Sequence, residues 1–435
     1  MHDEGATSST TIFANVFISF IGAGILGMPF AFKEAGIVEG SIIMGLVGLF
    51  SVKAMLLVID CKKKLLTKNV CPHTNDSKSS KNELVYMPEE KEALTINDGK
   101  TLDEILHTEQ ELDYGDLGYY ALGSKGKAVV DASIVISQTG FSCAYLIFIS
   151  ENIATMTESF TKYKVLIMLL PPLSLLVNFR HLKRLAIFSL FADFANVFAY
   201  CVVFWFDFKH FDNIGSKRKV INFSGLPFFL GIAIYCYEGA GMILALEASC
   251  AKSARSKFRS IFKLTLFLVT MLYILFGVCG YLSFGPDTDN IITLNLPPGI
   301  FPLLVKSCLC FSLFFTYPVM MFPVVAILEK KLFSDEGKSH YYYGTFLRGL
   351  MVIITGIVVL GIPDFSMLMA LVGSSCCTLL AFILPALFHL QIFKGELSIC
   401  AKLLDFILIL LGVVGTVIGM RDVISRMMSP SETEE

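Results

Sequence analysis

Long apolar blocks alternate with short polar ones along nearly the whole chain. A helix needs roughly 20 apolar residues to cross a hydrocarbon core about 30 Å thick. By that measure the pattern predicts about eleven spans, near 11–32, 37–59, 128–150, 164–179, 184–207, 223–247, 261–284, 300–328, 346–362, 366–390 and 402–420. Blocks of this length satisfy their backbone groups in lipid only as helices. The expectation is an all-α polytopic membrane protein. The first block, Thr11 to Phe32, follows a stretch without Lys or Arg and is long enough to span, so it reads as a helix rather than a cleavable leader.

Lys and Arg collect in alternate connections. With the N-terminus cytosolic, the cytosolic loops hold Lys62–Lys64, Arg180, Lys183, Arg184, Lys252, Arg255, Lys257, Arg259, Lys330 and Lys331, while the opposite loops 285–299 and 362–365 hold none. Lys217, Arg218 and Lys219 break the rule locally. This predicts a cytosolic N-terminal tail (1–10), a transporter-sized membrane domain (11–420) and a non-cytosolic tail (421–435). A polar cytosolic insert at about 61–108 is too poor in large apolar residues to fold alone and is expected to be disordered. Its end, Glu111 to Gly123, regains an apolar periodicity that suits a short amphipathic helix along the membrane surface.

Composition agrees with this layout. Of 435 residues 54% are hydrophobic and 17% charged, against about 25% charged in soluble proteins. A net charge of −2 is uninformative about nucleic acid; no basic domain stands out, and no nucleic-acid partner is expected. Most of the cysteines, among them Cys143, Cys236, Cys279, Cys310, Cys376 and Cys377, lie in apolar runs as small packing residues, and no metal site is expected.

Two spans are interrupted. In the first, Gly22, Gly24, Gly27 and Pro29 fall mid-membrane. Glycine stabilises a helix poorly and proline removes a backbone donor, so unwinding is predicted there. In the sixth, Tyr237-Glu238-Gly239-Ala240-Gly241 repeats the feature with a carboxylate at the break. Unpaired backbone at that depth is tolerated where it lines a cavity or is buried in protein. Amides at a half-helix N-terminus suit a substrate carboxylate, and freed carbonyls suit an ammonium or a cation. Interruptions at matching places in two halves point to an inverted-repeat transporter. Gly231 reads better as a close-packing glycine. Glu238 and Asp193 are intramembrane acids, costly unless turned inward. Each reads either as a satisfied helix contact or as a proton-coupling group.

These residues also carry a resemblance. Asn15 to Phe32, Gly140 to Phe148, Ile187 to Asp193, Tyr237-Glu238-Gly239, Gly280 to Gly285 with Asn295-Leu-Pro297, Thr316-Tyr-Pro318 and Leu371 to Ser375 occur in an order and spacing like that of the amino acid transporter transmembrane family, the amino acid/auxin permeases. The Phe-Ala-Asp193 stretch and the Leu-Phe-His389 ending are most similar to vacuolar transporters of plants and fungi; animal proton-coupled transporters are similar too. The resemblance implies a LeuT-like fold of five plus five inverted-repeat helices with one C-terminal helix, and transport of amino acids, often driven by protons. By position, Gly22, Gly24 and Gly27 would present amides to the substrate carboxylate, with Ile25 beside them. Tyr237, Glu238 and Gly239 would form the facing wall, with Ser142, Tyr145 and Thr316 as neighbours. Some animal members carry a histidine two turns before the Gly-x-Gly, where this chain has Asn15.

The resulting expectation is a secondary transporter of small neutral amino acids, proton-coupled and working by alternating access. Sodium coupling and an amino-acid sensor that transports little stand as alternatives. The implied partners are the amino acid and the bilayer; no cofactor is implied beyond a proton or sodium ion. A vacuolar or lysosomal membrane is favoured over the plasma membrane. The sequence carries no Gly-x-x-x-x-Gly-Lys-Ser/Thr loop, no His-Glu-x-x-His and no Gly-x-Ser-x-Gly, so it offers no sign of an enzyme.

Overall fold

A computed structural model describes residues 8–70, 112–157, 159–179, 186–209, 219–251, 253–333 and 338–428. The chain runs as α1 (Ser9–Phe20), α2 (Met28–Ala35), α3 (Ile37–Val70), α4 (Tyr114–Thr157), α5 (Lys162–Val177), α6 (Ala186–Lys209), α7 (Leu226–Cys236) and α8 (Ile243–Ala248). It continues as α9 (Arg255–Phe284), α10 (Ile300–Leu332), α11 (Lys338–Gly361), α12 (Phe365–Val372), α13 (Leu384–Ile392) and α14 (Ile399–Met428).

Among the described residues seven helical segments are long and apolar enough to cross a membrane, and the bent pair α1 and α2 would make an eighth. The remaining apolar blocks coincide with α5, α6 and the α7–α8 pair. Large apolar side chains such as Leu49, Phe194 and Leu410 stand fully outward on these helices. That surface suits lipid rather than water, and a helical backbone behind it is what a bilayer requires. The protein is a multi-pass membrane protein.

The core is one apolar cluster that draws on the described helices from α1 to α14. α10 packs along α4 and α6, α9 along α2, and α13 along α3. α7 meets the tenth block so closely that a Cβ on Gly373 would run into the Gly231 carbonyl, and one on Gly231 would stand 2.7 Å from the Ala370 carbonyl. Gly231 is thus a packing glycine, as its setting suggested. The tenth block is not a plain helix: two π-type turns, Gly373–Cys377 and Leu379–Ile383, separate α12 from α13. Hydropathy carries no signal for them.

Three boundaries differ from the sequence reading. α3 continues to Val70, so residues 61–70, expected in the disordered insert, are helical. Cys61, Lys62 and Leu65 are buried there, and that contact extends the helix beyond its apolar block. The rest of the insert, 71–108, lies outside the described residues. The stretch expected on the membrane surface is the first part of α4, turned at Gly123 with φ +70°, a conformation that costs glycine least. It lies on protein: Tyr114 and Leu117 are buried, and the Tyr114 hydroxyl donates to the Leu380 carbonyl at 2.9 Å. At the far end α14 runs to Met428, past the expected end of the membrane domain at 420.

Candidate functional site

The first break falls where the glycines put it. α1 stops at Phe20, Gly22 is extended at φ −109° and ψ −168°, and a tight 3₁₀ turn over Ala23–Gly27 leads into α2. The two halves are bent by 50°. Pro29 sits in the first turn of α2, where its missing N–H removes no helical bond. In the sixth block α7 stops at Cys236, residues 237–242 are irregular, and α8 begins at Ile243.

Freed carbonyls at both breaks are taken up by tyrosines. Tyr273 of α9 donates to the Phe20 carbonyl, and its hydroxyl also lies 3.3 Å from the Cys236 carbonyl, so one side chain ties the two breaks together. Tyr200 of α6 donates to the Gly22 carbonyl at 3.3 Å. The donors at the start of the 3₁₀ turn are different: no acceptor among the described residues meets the amides of Ala23 or Gly24. They sit at the positive end of a buried half-helix. Tyr273→Phe is expected to lower stability by about 1–3 kcal/mol, because the Cys236 carbonyl loses its donor and the Phe20 carbonyl keeps only the Gly22 N–H. Thermal unfolding of the detergent-solubilised protein measures this.

The proposed pocket residues separate into groups. Gly22 faces open space, with nothing within 4 Å of where a Cβ would stand. Gly24 instead packs on the sixth block, its would-be Cβ 2.9 Å from Cys236 Sγ and 3.5 Å from the Tyr235 ring. Gly27 packs on α12, 3.1 Å from Met369 Sδ. Ile25 is fully buried between them. Gly239 lies against Phe20 and, at 3.4 Å, Met55 Sδ.

Glu238 closes its own loop. The backbone N–H groups of Ala240 and Gly241 lie near its carboxylate, and its Oε2 is buried without a partner among the described residues. Tyr114 and Cys377 lie within its electrostatic reach. The Tyr237 side chain turns away from the break: it is fully buried and donates to Thr270 Oγ1 at 2.6 Å. Ser142 and Thr316 donate to carbonyls of their own helices, at Gln138 (2.9 Å) and Ser312 (2.8 Å). Tyr145 is buried within reach of Tyr235, whose ring meets Phe141 edge-on at 4.6 Å. Asp193 belongs to α6, but its side chain lies outside the described residues. The structure thus joins Gly22, Gly24, Gly239 and Glu238 around two facing breaks and leaves the hydroxyls of Ser142 and Thr316 on their own helices.

Tyr200, Tyr273 and the Ser312–Asn196 contact at 3.3 Å were not singled out by sequence. A tyrosine inside an apolar block looks like core until its hydroxyl has an address. In retrospect the only available cue was that a buried phenol seeks a partner.

A family profile described as transmembrane amino acid transporter protein matches residues 5–75 and 99–425. Amino acid transporter AVT3B of Arabidopsis thaliana is 35% identical, over 95% of this chain and 92% of its own length. Amino acid transporter ANT1 of Arabidopsis thaliana is 32% identical, over 95% of this chain and 91% of its own. Vacuolar amino acid transporter 4 of Saccharomyces cerevisiae is 25% identical, over 94% of this chain and 57% of its own. A solved Na+-coupled sialic acid symporter overlays 97% of both chains, with a TM-score of 0.43 and 9% identity.

Proposed function

Because the chain belongs to the transmembrane amino acid transporter family, we propose that it is a proton-coupled symporter of small neutral amino acids. It works by alternating access around the breaks in its first and sixth spans. The observation that carries this reading is the pair of buried amides at Ala23 and Gly24, which meet no acceptor among the described residues, beside the open space at Gly22. They face an irregular loop held by Glu238. An amino acid's carboxylate fits the amides, and the nearby carbonyl-rich backbone suits its ammonium group. Tyr235, whose ring lies 3.5 Å from where a Cβ on Gly24 would stand, and its aromatic neighbours Phe141 and Tyr145 bring no charge beside the first break, which favours a neutral side chain on the substrate.

Glu238 is the candidate proton carrier of this reading. Among the described residues no cation lies against its Oε2, and a proton is the smallest ligand that satisfies it. One pH unit is worth about 1.4 kcal/mol per proton, so an acidic compartment supplies the driving force. The yeast relative's name places that protein at the vacuole; a vacuolar or lysosomal membrane, with the N-terminus cytosolic, is proposed for this chain. The five-plus-five inverted repeat of the family resemblance supplies the rocking element.

Flux in proteoliposomes tests the reading, with a panel of amino acids and an imposed pH gradient. The expected result is saturable uptake of small neutral amino acids, accelerated by the gradient, with the acceleration blunted in Glu238→Gln. Uptake indifferent to pH overturns proton coupling and directs attention to sodium. No saturable flux from folded protein overturns transport in favour of an amino-acid sensor.

A further inference from the structure

A buried acid in α6 lies outside the site described so far. Asp207 is fully buried, and neither carboxylate oxygen has a hydrogen-bond partner. Among the described residues its surroundings offer no counter-charge. From α9 it faces Cys279 and Ser283; the Ser283 hydroxyl lies 2.8 Å from the backbone carbonyls of both Asp207 and Cys279. Phe204 and Phe208 stack on its own helix at 6.3 Å, and Phe276 meets Phe204 edge-on at 5.1 Å. α10, which also packs along α6, directs Ser312 to Asn196, and its buried cation Lys306 reaches Thr155 instead. A bare carboxylate in such a setting is strongly disfavoured, and the usual remedies, an ion pair or a metal, find no ligands among the described residues. The ligand that fits is a proton.

Its placement suggests what the proton is for. Asp207 lies close to the end of α6, where Lys209 is exposed over the Trp205 ring. Seven residues back along the helix is Tyr200. Seven residues are almost two full turns, so the two share a face about 10 Å apart along the axis. Tyr200 in turn holds the Gly22 carbonyl at the first break. A buried acid near one membrane surface is thereby aligned with the hydroxyl that reaches the substrate cradle.

We propose that Asp207 is a proton-binding site through which the coupling proton enters from the non-cytosolic side. The step is a plain transfer: hydronium gives a proton to the carboxylate, leaving water and a neutral carboxyl, and the reverse step releases it toward the cradle. This rests on the proton-coupled reading and on a cytosolic N-terminus, which places this end of α6 on the opposite side.

The test combines two measurements on the full chain in liposomes. pH-difference infrared spectroscopy reads the carbonyl band of a protonated carboxylic acid, and flux reads gradient stimulation. In wild type a titrating carboxylic-acid band is expected, with stimulated uptake. In Asp207→Asn, a neutral isostere, that band is lost and uptake falls to its level without a gradient. In Asp207→Glu, which keeps the carboxyl, the band returns at a shifted position; this variant also decides the question if the first one fails to fold, because an unshifted spectrum overturns the proposal. An Asp207→Asn protein with wild-type spectrum and stimulation overturns it and leaves Glu238 in place. Loss of the band with stimulation intact overturns the entry role. A wild type indifferent to the gradient overturns the proton-coupled reading first, and the entry role with it.

Discussion

Gly24→Leu should abolish uptake, whereas Gly22→Ala should leave a folded protein with impaired substrate binding. The two glycines stand two residues apart and differ in what surrounds them. A Cβ on Gly24 lies 2.9 Å from Cys236 Sγ and 3.5 Å from the Tyr235 ring. A leucine there has to push α7 away from the first break, an overpacking cost of about 1–3 kcal/mol. The two breaks would no longer face each other. At Gly22 the added methyl meets nothing, and the backbone φ of −109° suits any residue. Alanine there narrows the space beside the Ala23 and Gly24 amides. Losing one charge-assisted hydrogen bond to a carboxylate is worth about 1.5–3 kcal/mol, which corresponds to KM raised tenfold or more. Size-exclusion profiles and unfolding midpoints separate the two cases, and uptake kinetics follow. Gly22→Ala with unchanged KM would remove the carboxylate from that position.

The second large effect is expected far from the site. Arg348 of α11 is buried and holds Glu329 of α10 in a two-pronged pair, Nε to Oε1 at 3.1 Å and Nη2 to Oε2 at 3.2 Å. Its remaining Nη1 donates to the Val177 carbonyl at the end of α5, at 3.0 Å. Three helices meet at one guanidinium. Arg348→Ala leaves a mostly buried carboxylate without its partner, which typically costs about 3–5 kcal/mol. The expected outcome is a sharply lower unfolding temperature and poor yield. Lysine cannot reproduce the fork, so Arg348→Lys should recover little. The control is the double replacement Arg348→Met with Glu329→Met, which removes both charges and should regain most of the loss. If the double variant is no better than Arg348→Ala, the stranded charge is not the cause.

Much of this architecture is legible in one dimension because lipid imposes a simple rule. A segment that crosses it must be helical, long and apolar. The blocks at 37–59, 300–328 and 402–420 therefore coincide with α3, α10 and α14. The breaks are legible for a similarly local reason: Gly22 to Pro29 and Glu238 to Gly241 carry their backbone preferences with them.

Partners are not local, and there the reading thins out. Gly22, Gly24 and Gly27 look alike in sequence, yet one faces open space and two are packed against Cys236 and Met369. Tyr237 and Glu238 are neighbours, yet one side chain goes to Thr270 and the other caps its own loop. Tyr273 and Tyr200 pass for core residues until the breaks bring carbonyls to them.

By itself, then, the sequence determined that this chain crosses a membrane many times, that its first and sixth spans break, and which family it resembles. Those properties follow from hydropathy and backbone preference summed over short windows. The tertiary structure alone decided which glycine is open, which phenol meets which carbonyl, and that Asp207 is buried without a counter-charge among the described residues. Each of these depends on residues far apart in the chain meeting at hydrogen-bond distance, and no local pattern encodes such a meeting.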